Sequence, residues 1–271
     1  MMNQSSKAEL LRRLHAGPEV LVLANAWDAI SARVIAAEGF PVVATSSAGC
    51  AAVLGYPDGE KIPRSEMTFL LAKIARAVDV PVTADVEAGY DDAVQTALDV
   101  IAAGAVGLNL EDMAGDELRP IDGQISIIRA VREAADASGV PLVINARTEI
   151  YLARHGDPET RFDRSVERLN RYRQAGADCL FIPGVADRET IGRLVGAVRG
   201  PVNILASAGS PSIAELKGLG VARVSFGSGP SRIAIGAARR FARAVRDLGS
   251  FDALSSEAIG YQEVQDLLAR K

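Results

Sequence analysis

Val80-Pro81-Val82-Thr83-Ala84-Asp85-Val86-Glu87-Ala88-Gly89-Tyr90 is the stretch on which the reading of the fold turns. Its first half is apolar without alternation, the pattern of a strand covered on both faces. The run stops at Asp85, and Glu87 follows two residues on. In an extended segment that spacing sends both carboxylates to the same side. Polar residues gathered at the carboxyl end of a buried strand are the arrangement of parallel α/β folds, where the site forms beyond the strand ends.

Working outward, seven further runs repeat the pattern: Val20–Ala24, Val42–Thr45, Val106–Leu110, Leu142–Ala146, Cys179–Ile182, Val202–Ala206 and Arg223–Phe226, with Val80–Val86 the third of eight. Helical segments alternate with them. Asp28 is placed to cap Ala29–Glu38, and Ser65 to cap a helix whose Met67, Leu70, Leu71, Ile74 and Val78 follow three-four spacing. Asp91–Ala103, Gln124–Ala137, Glu159–Ala175, Thr190–Val198, Ser212–Leu219 and Ser231–Leu248 complete the set, several stopped by glycine. Eight strand–helix units joined by right-handed crossovers predict one (β/α)8 barrel, a size that 271 residues suit. An open doubly wound sheet is the runner-up, disfavoured because no G-x-G-x-x-G turn follows the first strand. No linker or charge block divides the chain, so residues 1–271 are read as a single domain, with 251–271 a C-terminal helical arm.

Apolar residues are 48% of the chain and the net charge is -4, which gives no electrostatic footprint for nucleic acid or an acidic membrane. No apolar stretch is long enough to span a bilayer and no leader pattern opens the sequence, so a cytoplasmic location is expected. Cys50 and Cys179 read as small core residues, not a disulfide. The two histidines, His15 and His155, end no strand, which argues against histidine-based triads and zinc sites.

The residues that end the strands define the candidate site: Asn25-Ala26-Trp27-Asp28, Thr45-Ser46-Ser47-Ala48, Asp85-Val86-Glu87, Asn109-Leu110-Glu111-Asp112 and Asn145-Ala146-Arg147-Thr148-Glu149. Carboxylates brought together need a cation or protons to coexist, and a hard divalent ion with oxygen ligands answers that need. Asp85 is the leading ligand. Glu87, Asp112 and Glu149 read equally well as solvated loop charges. Arg147 reads as a clamp for an anionic substrate group, or else as a partner for Glu111. Trp27 is placed to pack or to shield substrate.

These strand-end motifs, with Gly55-Tyr56-Pro57-Asp58, resemble the isocitrate lyase / phosphoenolpyruvate mutase superfamily over roughly the first 150 residues. The resemblance implies Mg2+ held directly by Asp85, its waters held by Asp58, Glu87 and Glu111, and substrate bound by the Ser46-Ser47-Ala48 backbone and by Arg147. It also implies a last helix swapped between subunits in a homodimer or homotetramer. The implied reaction makes or breaks a bond to the carbon next to the carbonyl of a small 2-oxo acid or related dicarboxylate, through an enolate steadied by the metal. One departure is the segment Asp112-Met113-Ala114-Gly115-Asp116-Glu117-Leu118-Arg119-Pro120, which lacks the cysteine, histidine and lysine that the superfamily's lyases carry there. Another is Phe181-Ile182-Pro183-Gly184, where mutase-like relatives place a histidine. The reading is therefore a Mg2+-dependent lyase, with oxaloacetate-like decarboxylation or carbon–carbon cleavage fitting best. The alternatives are a carbon–phosphorus bond mutase or hydrolase, and a 2-oxo-acid binding protein without turnover. Ala114–Pro120 is expected to be a mobile lid, since Gly115 and its charged neighbours promise few buried contacts.

Overall fold

The structure, a computed structural model, describes residues 2–269; Met1 and the last two residues of the expected arm, Arg270 and Lys271, lie outside the described residues. Its strands in chain order are β1 (Leu21–Leu23), β2 (Asn25–Ala26), β3 (Val43–Thr45), β4 (Val82–Asp85), β5 (Gly107–Glu111), β6 (Met113–Ala114), β7 (Glu117–Leu118), β8 (Val143–Arg147), β9 (Cys179–Ile182), β10 (Val202–Leu205) and β11 (Arg223–Ser225). All but β6 and β7 form one parallel sheet, ordered β1-β11-β10-β9-β8-β5-β4-β3-β2. It is a nearly closed barrel with helices between the strands, as the sequence predicts.

The first run, Val20–Ala24, holds β1 as expected, but a second short strand, β2, follows it where only a strand-end motif was expected. β1 pairs with β11 and β2 with β3, so the two edges of the sheet are consecutive pieces of chain joined at Ala24. Asn25 binds the seam together. Its Nδ2 donates to the Thr45 carbonyl at 2.9 Å, and its Oδ1 accepts from the Phe226 N–H at 2.8 Å, so one carboxamide reaches both neighbours.

The barrel's amino-terminal end is plugged by the helix Gln4–His15. Ala8 and Leu11 of this helix pack with Leu21, Leu23, Val42, Ala44, Val106 and Val143. Gly107 makes room for that plug: a Cβ there would lie 2.8 Å from Leu11 Cδ2 and 2.9 Å from Thr83 Oγ1. The larger core lies between the barrel and its helices and draws on nearly every element, from Ala26 to Val224.

Three local expectations change. The helix expected to be capped by Ser65 starts two residues earlier, at Arg64, with Pro63 in the cap position and no side-chain cap; proline's fixed φ there already sets the entry to the first turn. The segment after β5 is a small antiparallel hairpin, β6–β7, pairing Met113 with Leu118 and Ala114 with Glu117. A short helix, Ser47–Val53, unforeseen in the sequence, follows β3 and is capped by Ser46. At the other end, Tyr261–Ala269 packs back onto the helix Ala29–Ala37, where Arg33 Nη1 donates to the Leu267 carbonyl at 2.7 Å. The long helix Gly229–Leu248 buries only Ser231 and leaves Ile233 73% and Leu248 79% exposed. No described helix is long and apolar enough to cross a membrane.

The seam makes Asn25 a stability determinant. Asn25→Ala removes both hydrogen bonds inside a buried junction and should lower unfolding free energy by about 2–3 kcal/mol. Urea denaturation with an unchanged slope measures it, and a loss under about 0.5 kcal/mol would show that the seam does not depend on this side chain.

Candidate active site

Strand register decides which side chains meet at the carboxyl end. Asp85 is opposite Asn109, Glu111 is opposite Arg147, and Arg147 is opposite Phe181. Arg147 Nη1 lies 3.3 Å from Glu111 and 4.0 Å from Asp85, and its Nε bonds Glu149. Its guanidinium lies over the Phe181 ring, 5.5 Å from the centroid, a cation–π contact that fixes the plane of the fork. Phe181 thus serves the site without a polar group.

Asp85 is held from two sides. Ser47 donates to Oδ2 through its N–H at 3.2 Å and its hydroxyl at 2.8 Å. Asn109 Nδ2 approaches Oδ1 at 3.4 Å. Asn109 cannot turn its amide over, because its oxygen accepts from Asn145 at 2.8 Å and from Arg223 at 3.1 Å, and a guanidinium only donates. Arg223 is itself buried in the barrel interior, where it also meets the imidazole of His15 at 3.5 Å. Burial, then the neighbouring Arg223, pushes the His15 pKa down to about 4. It is therefore neutral and can accept from Arg223.

The carboxylates are crowded and dry. Burial first, then Asp58 and Asp85, raises the Glu87 pKa to about 7. Burial raises Glu111 to about 8, with Glu149, Asp85 and Glu87 adding to it and Arg147 opposing. Glu149 is likewise raised by burial against the pull of Arg147. For Arg147 itself burial works against its charge, and Glu111, Glu149 and Asp85 outweigh it, so it stays protonated. The site has more negative charge than its one contacting guanidinium balances.

Glu87, Asp112 and Glu149 are not solvated loop charges; each is at least 95% buried. Asp112 turns away from the mouth. Its oxygens accept from Thr148 Oγ1 at 2.8 Å, the Glu149 N–H at 3.0 Å, Tyr172 OH at 2.8 Å and Arg168 at 3.1 Å, tying β5 to the segment after β8 and to the helix Arg161–Gln174. Asp58 is exposed on the loop after Ser47–Val53, close enough to raise Glu87. Trp27 is half-buried and its Cβ faces Gly49 of that helix. Ser46 spends its hydroxyl on the Gly49 N–H at 3.3 Å, and Ala48 is the next residue but one along the same turn.

Among the described residues no three acidic, histidine or cysteine side chains converge tightly enough to clasp an ion alone. An all-oxygen site for Mg2+ does not require that, since the ion keeps several waters and takes one or two carboxylates. Two features fit such an ion: the excess negative charge, and the buried Glu87 Oε1, which has no hydrogen-bond partner.

A profile of the phosphoenolpyruvate phosphomutase family matches residues 11–246. An uncharacterized protein of Mycobacterium tuberculosis is 36% identical over 236 residues, 86% of this chain and 88% of its own length. The oxaloacetate decarboxylase of Rhodopseudomonas palustris (strain BisB5) is 31% identical over 202 residues, 71% of this chain and 68% of its own. The chain belongs to the isocitrate lyase / phosphoenolpyruvate mutase superfamily. It is therefore an enzyme of the lyase and mutase kind. The crystal structure of a proposed lyase/mutase from Burkholderia cenocepacia J2315 superposes with a TM-score of 0.91 at 36% identity, covering 98% of this chain and 97% of that one.

Against the superfamily pattern, Asp85, Glu87, Glu111 and Arg147 come together at one place, with Ser47 on Asp85 and Asp58 at the rim. Sequence reasoning passed over Arg223, Tyr172, Arg168 and Glu60. Arg223 did carry a signal, as a lone cation inside an otherwise apolar run. The other three sit in polar segments where nothing sets them apart.

The raised carboxylates give a sign for the pH dependence of this superfamily member. A carboxyl whose folded pKa exceeds its unfolded value stabilises the fold fully below about 4.5, and that contribution is lost as pH rises through about 7 for Glu87 and about 8 for Glu111. The metal-free protein should therefore unfold at a lower temperature at about pH 9 than at about pH 6, and Glu111→Gln should flatten the decline. A midpoint that climbs over this interval would contradict the assignment.

Proposed function

We propose that the protein is a Mg2+-dependent lyase that breaks a carbon–carbon bond to the carbon next to the carbonyl of a small 2-oxo acid or related dicarboxylate, an oxaloacetate-like acid being the best fit. The observation that carries this is the group of the buried Asp85 and Glu87 and the partly buried Glu111 at the barrel mouth around Arg147. Asp85 would hold Mg2+ directly, and Asp58, Glu87 and Glu111 its waters. When bound, the ion supplies Lewis-acid polarisation of the 2-oxo group. Ser47 orients Asp85, the backbone at Ser46-Ser47-Ala48 faces the substrate carboxylate, and Trp27 shields the site from water. Arg147 supplies a fixed positive charge whose position is set by Glu111, Glu149 and Phe181 before substrate arrives.

The hairpin supports decarboxylation over isocitrate-type cleavage. Residues 112–120 contain no cysteine, histidine or lysine to act as acid or base. Loss of CO2 from an oxaloacetate-like acid needs none on the departing side: the C3–C4 electrons move toward the 2-oxo group and CO2 leaves neutral. The relative named oxaloacetate decarboxylase points the same way. Carbon–phosphorus chemistry is the second reading, favoured by the family profile. Arg119, the one basic residue of the hairpin segment, is turned from such a role, donating to the Ala88 carbonyl and to Gln124 Oε1.

Steady-state assays with oxaloacetate, methylisocitrate and phosphonopyruvate in the presence of Mg2+ decide between them. Oxaloacetate should turn over fastest. Asp85→Ala should lower Mg2+ affinity by at least about tenfold, whereas Asp116→Ala at the exposed hairpin tip should leave it unchanged. Equal affinities in the two variants would remove Asp85 from the site, and tight ligand binding without turnover would make this a binding protein.

We propose further that the chain associates as a homodimer or homotetramer through Gly229–Leu248 and the arm after it. Ile233, Ile235, Val245, Leu248, Phe251 and Leu254 are all exposed there, a patch of the kind that marks interfaces. Light scattering should give a multiple of 28.5 kDa, and deletion of residues 251–271 should lower it or precipitate the protein. A full-length chain that stays monomeric at high micromolar concentration would rule the interface out.

A further inference from the structure

Four non-glycine residues among those described have positive φ: Glu60 (57°), Glu87 (52°), Tyr90 (57°) and Arg154 (52°). Left-handed backbone strains a residue with a Cβ, and it persists only where surrounding contacts over-determine it. The first three are tied to one another. The Glu60 N–H donates to Glu87 Oε2 at 2.8 Å, and the Tyr90 N–H donates to Glu60 Oε1 at 2.6 Å. Glu60 thus grips both ends of the turn 87–90 that follows β4, using its backbone on one side and its carboxylate on the other.

Two consequences meet at the site. Glu87 has one oxygen fastened to Glu60, so its other oxygen, buried and without a partner, has a fixed position. Glu60 also lies two residues after Asp58, so the same bonds dock the loop that carries Asp58 at the rim. We infer that Glu60 is a positioning residue: a strained clip that sets Glu87 and the Asp58 loop in place for a hydrated divalent cation. This rests on the reading of Glu87 and Asp58 as holders of Mg2+ waters. Glu60 does not touch the reacting atoms and acts through Glu87.

Three variants separate the clip from simple charge and from simple structure. Glu60→Gln keeps the oxygen that accepts from Tyr90 and loses the charge. Glu60→Ala keeps the strain and the backbone bond to Glu87 but loses the carboxylate bond to Tyr90 that holds this backbone against the turn. Glu60→Gly loses the Tyr90 bond and the strain together. Calorimetric titration with Mg2+ alone, on the full-length chain, should give wild type and Glu60→Gln affinities within about threefold, with Glu60→Ala and Glu60→Gly weaker by at least about tenfold. Trypsin should cut after the exposed Lys61 faster in the last two variants, as the loop comes free. The unfolding midpoint of Glu60→Gly should match or exceed that of wild type while Glu60→Ala falls below it, because only alanine retains the left-handed penalty. A structural role would lower both midpoints together and leave Mg2+ affinity alone. Wild-type affinity in Glu60→Gly overturns the clip, and so does a Glu60→Gln as weak as Glu60→Gly, since charge would then be the cause. A wild-type chain that binds no Mg2+ instead brings down the Mg2+ reading, and the clip with it.

Discussion

Three carboxylates, those of the buried Asp85 and Glu149 and the partly buried Glu111, surround one guanidinium, that of Arg147, and a fourth, Glu87, stands close behind. The rest of the site follows from this imbalance. Desolvated negative charges repel and raise one another's proton affinity, so the cluster persists only with counter-charge, protons or a cation. Arg147 meets part of the need at Glu111, while burial first, and neighbouring carboxylates after it, still push Glu87 and Glu111 upward. The same excess charge makes the mouth receptive to a hard divalent ion.

Holding such a cluster open demands rigid support from below, and the barrel provides it in layers. The amino-terminal helix fills the bottom, its last residue His15 meets Arg223 above it, and Asn109 with Asn145 forms the next tier under Asp85. Each tier fixes the hydrogen-bonding sense of the one above, which is why Asn109 can present only its amide nitrogen to Asp85. On the outer side Asp112 does a similar task, fastening the Glu149 backbone to the helix Arg161–Gln174 through Tyr172 and Arg168. Most of the cost of burying these polar groups is offset by partners, Arg223 Nε and Asn145 Oδ1 being buried without one, and strain is kept at the rim in Glu60, Glu87 and Tyr90.

Much of this was legible in the chain itself. Eight apolar runs separated by capped, glycine-stopped helices specify parallel strands with crossovers, because a strand buried on both faces has no polar alternation and a helix between such strands must lie on the outside. The residues that end the strands had to line one mouth, so Asp85, Glu87, Glu111 and Arg147 could be grouped without coordinates. Their motifs also carried the superfamily, which the family profile over residues 11–246 bears out.

Tertiary structure decided what spacing cannot encode. Whether Arg147 faces Glu111 depends on the register between β5 and β8, a relation between strands 36 residues apart in the pair Glu111–Arg147. Asp112 and Glu111 are adjacent in sequence yet serve opposite faces, since neighbours on a strand point apart, and only the packed helix Arg161–Gln174 shows which face holds the partner. The extra strand β2 that follows the first run, joined to it at Ala24 and closed by Asn25, arises from the geometry of the last gap in a barrel and leaves no local signature. The left-handed clip at Glu60 is likewise silent in sequence, because a strained backbone is set by the contacts that hold it and not by the residue that adopts it. The sequence by itself determined the parallel barrel and the acidic mouth through burial and periodicity; which carboxylates face the ligand, and which brace the wall, was decided by long-range register and packing.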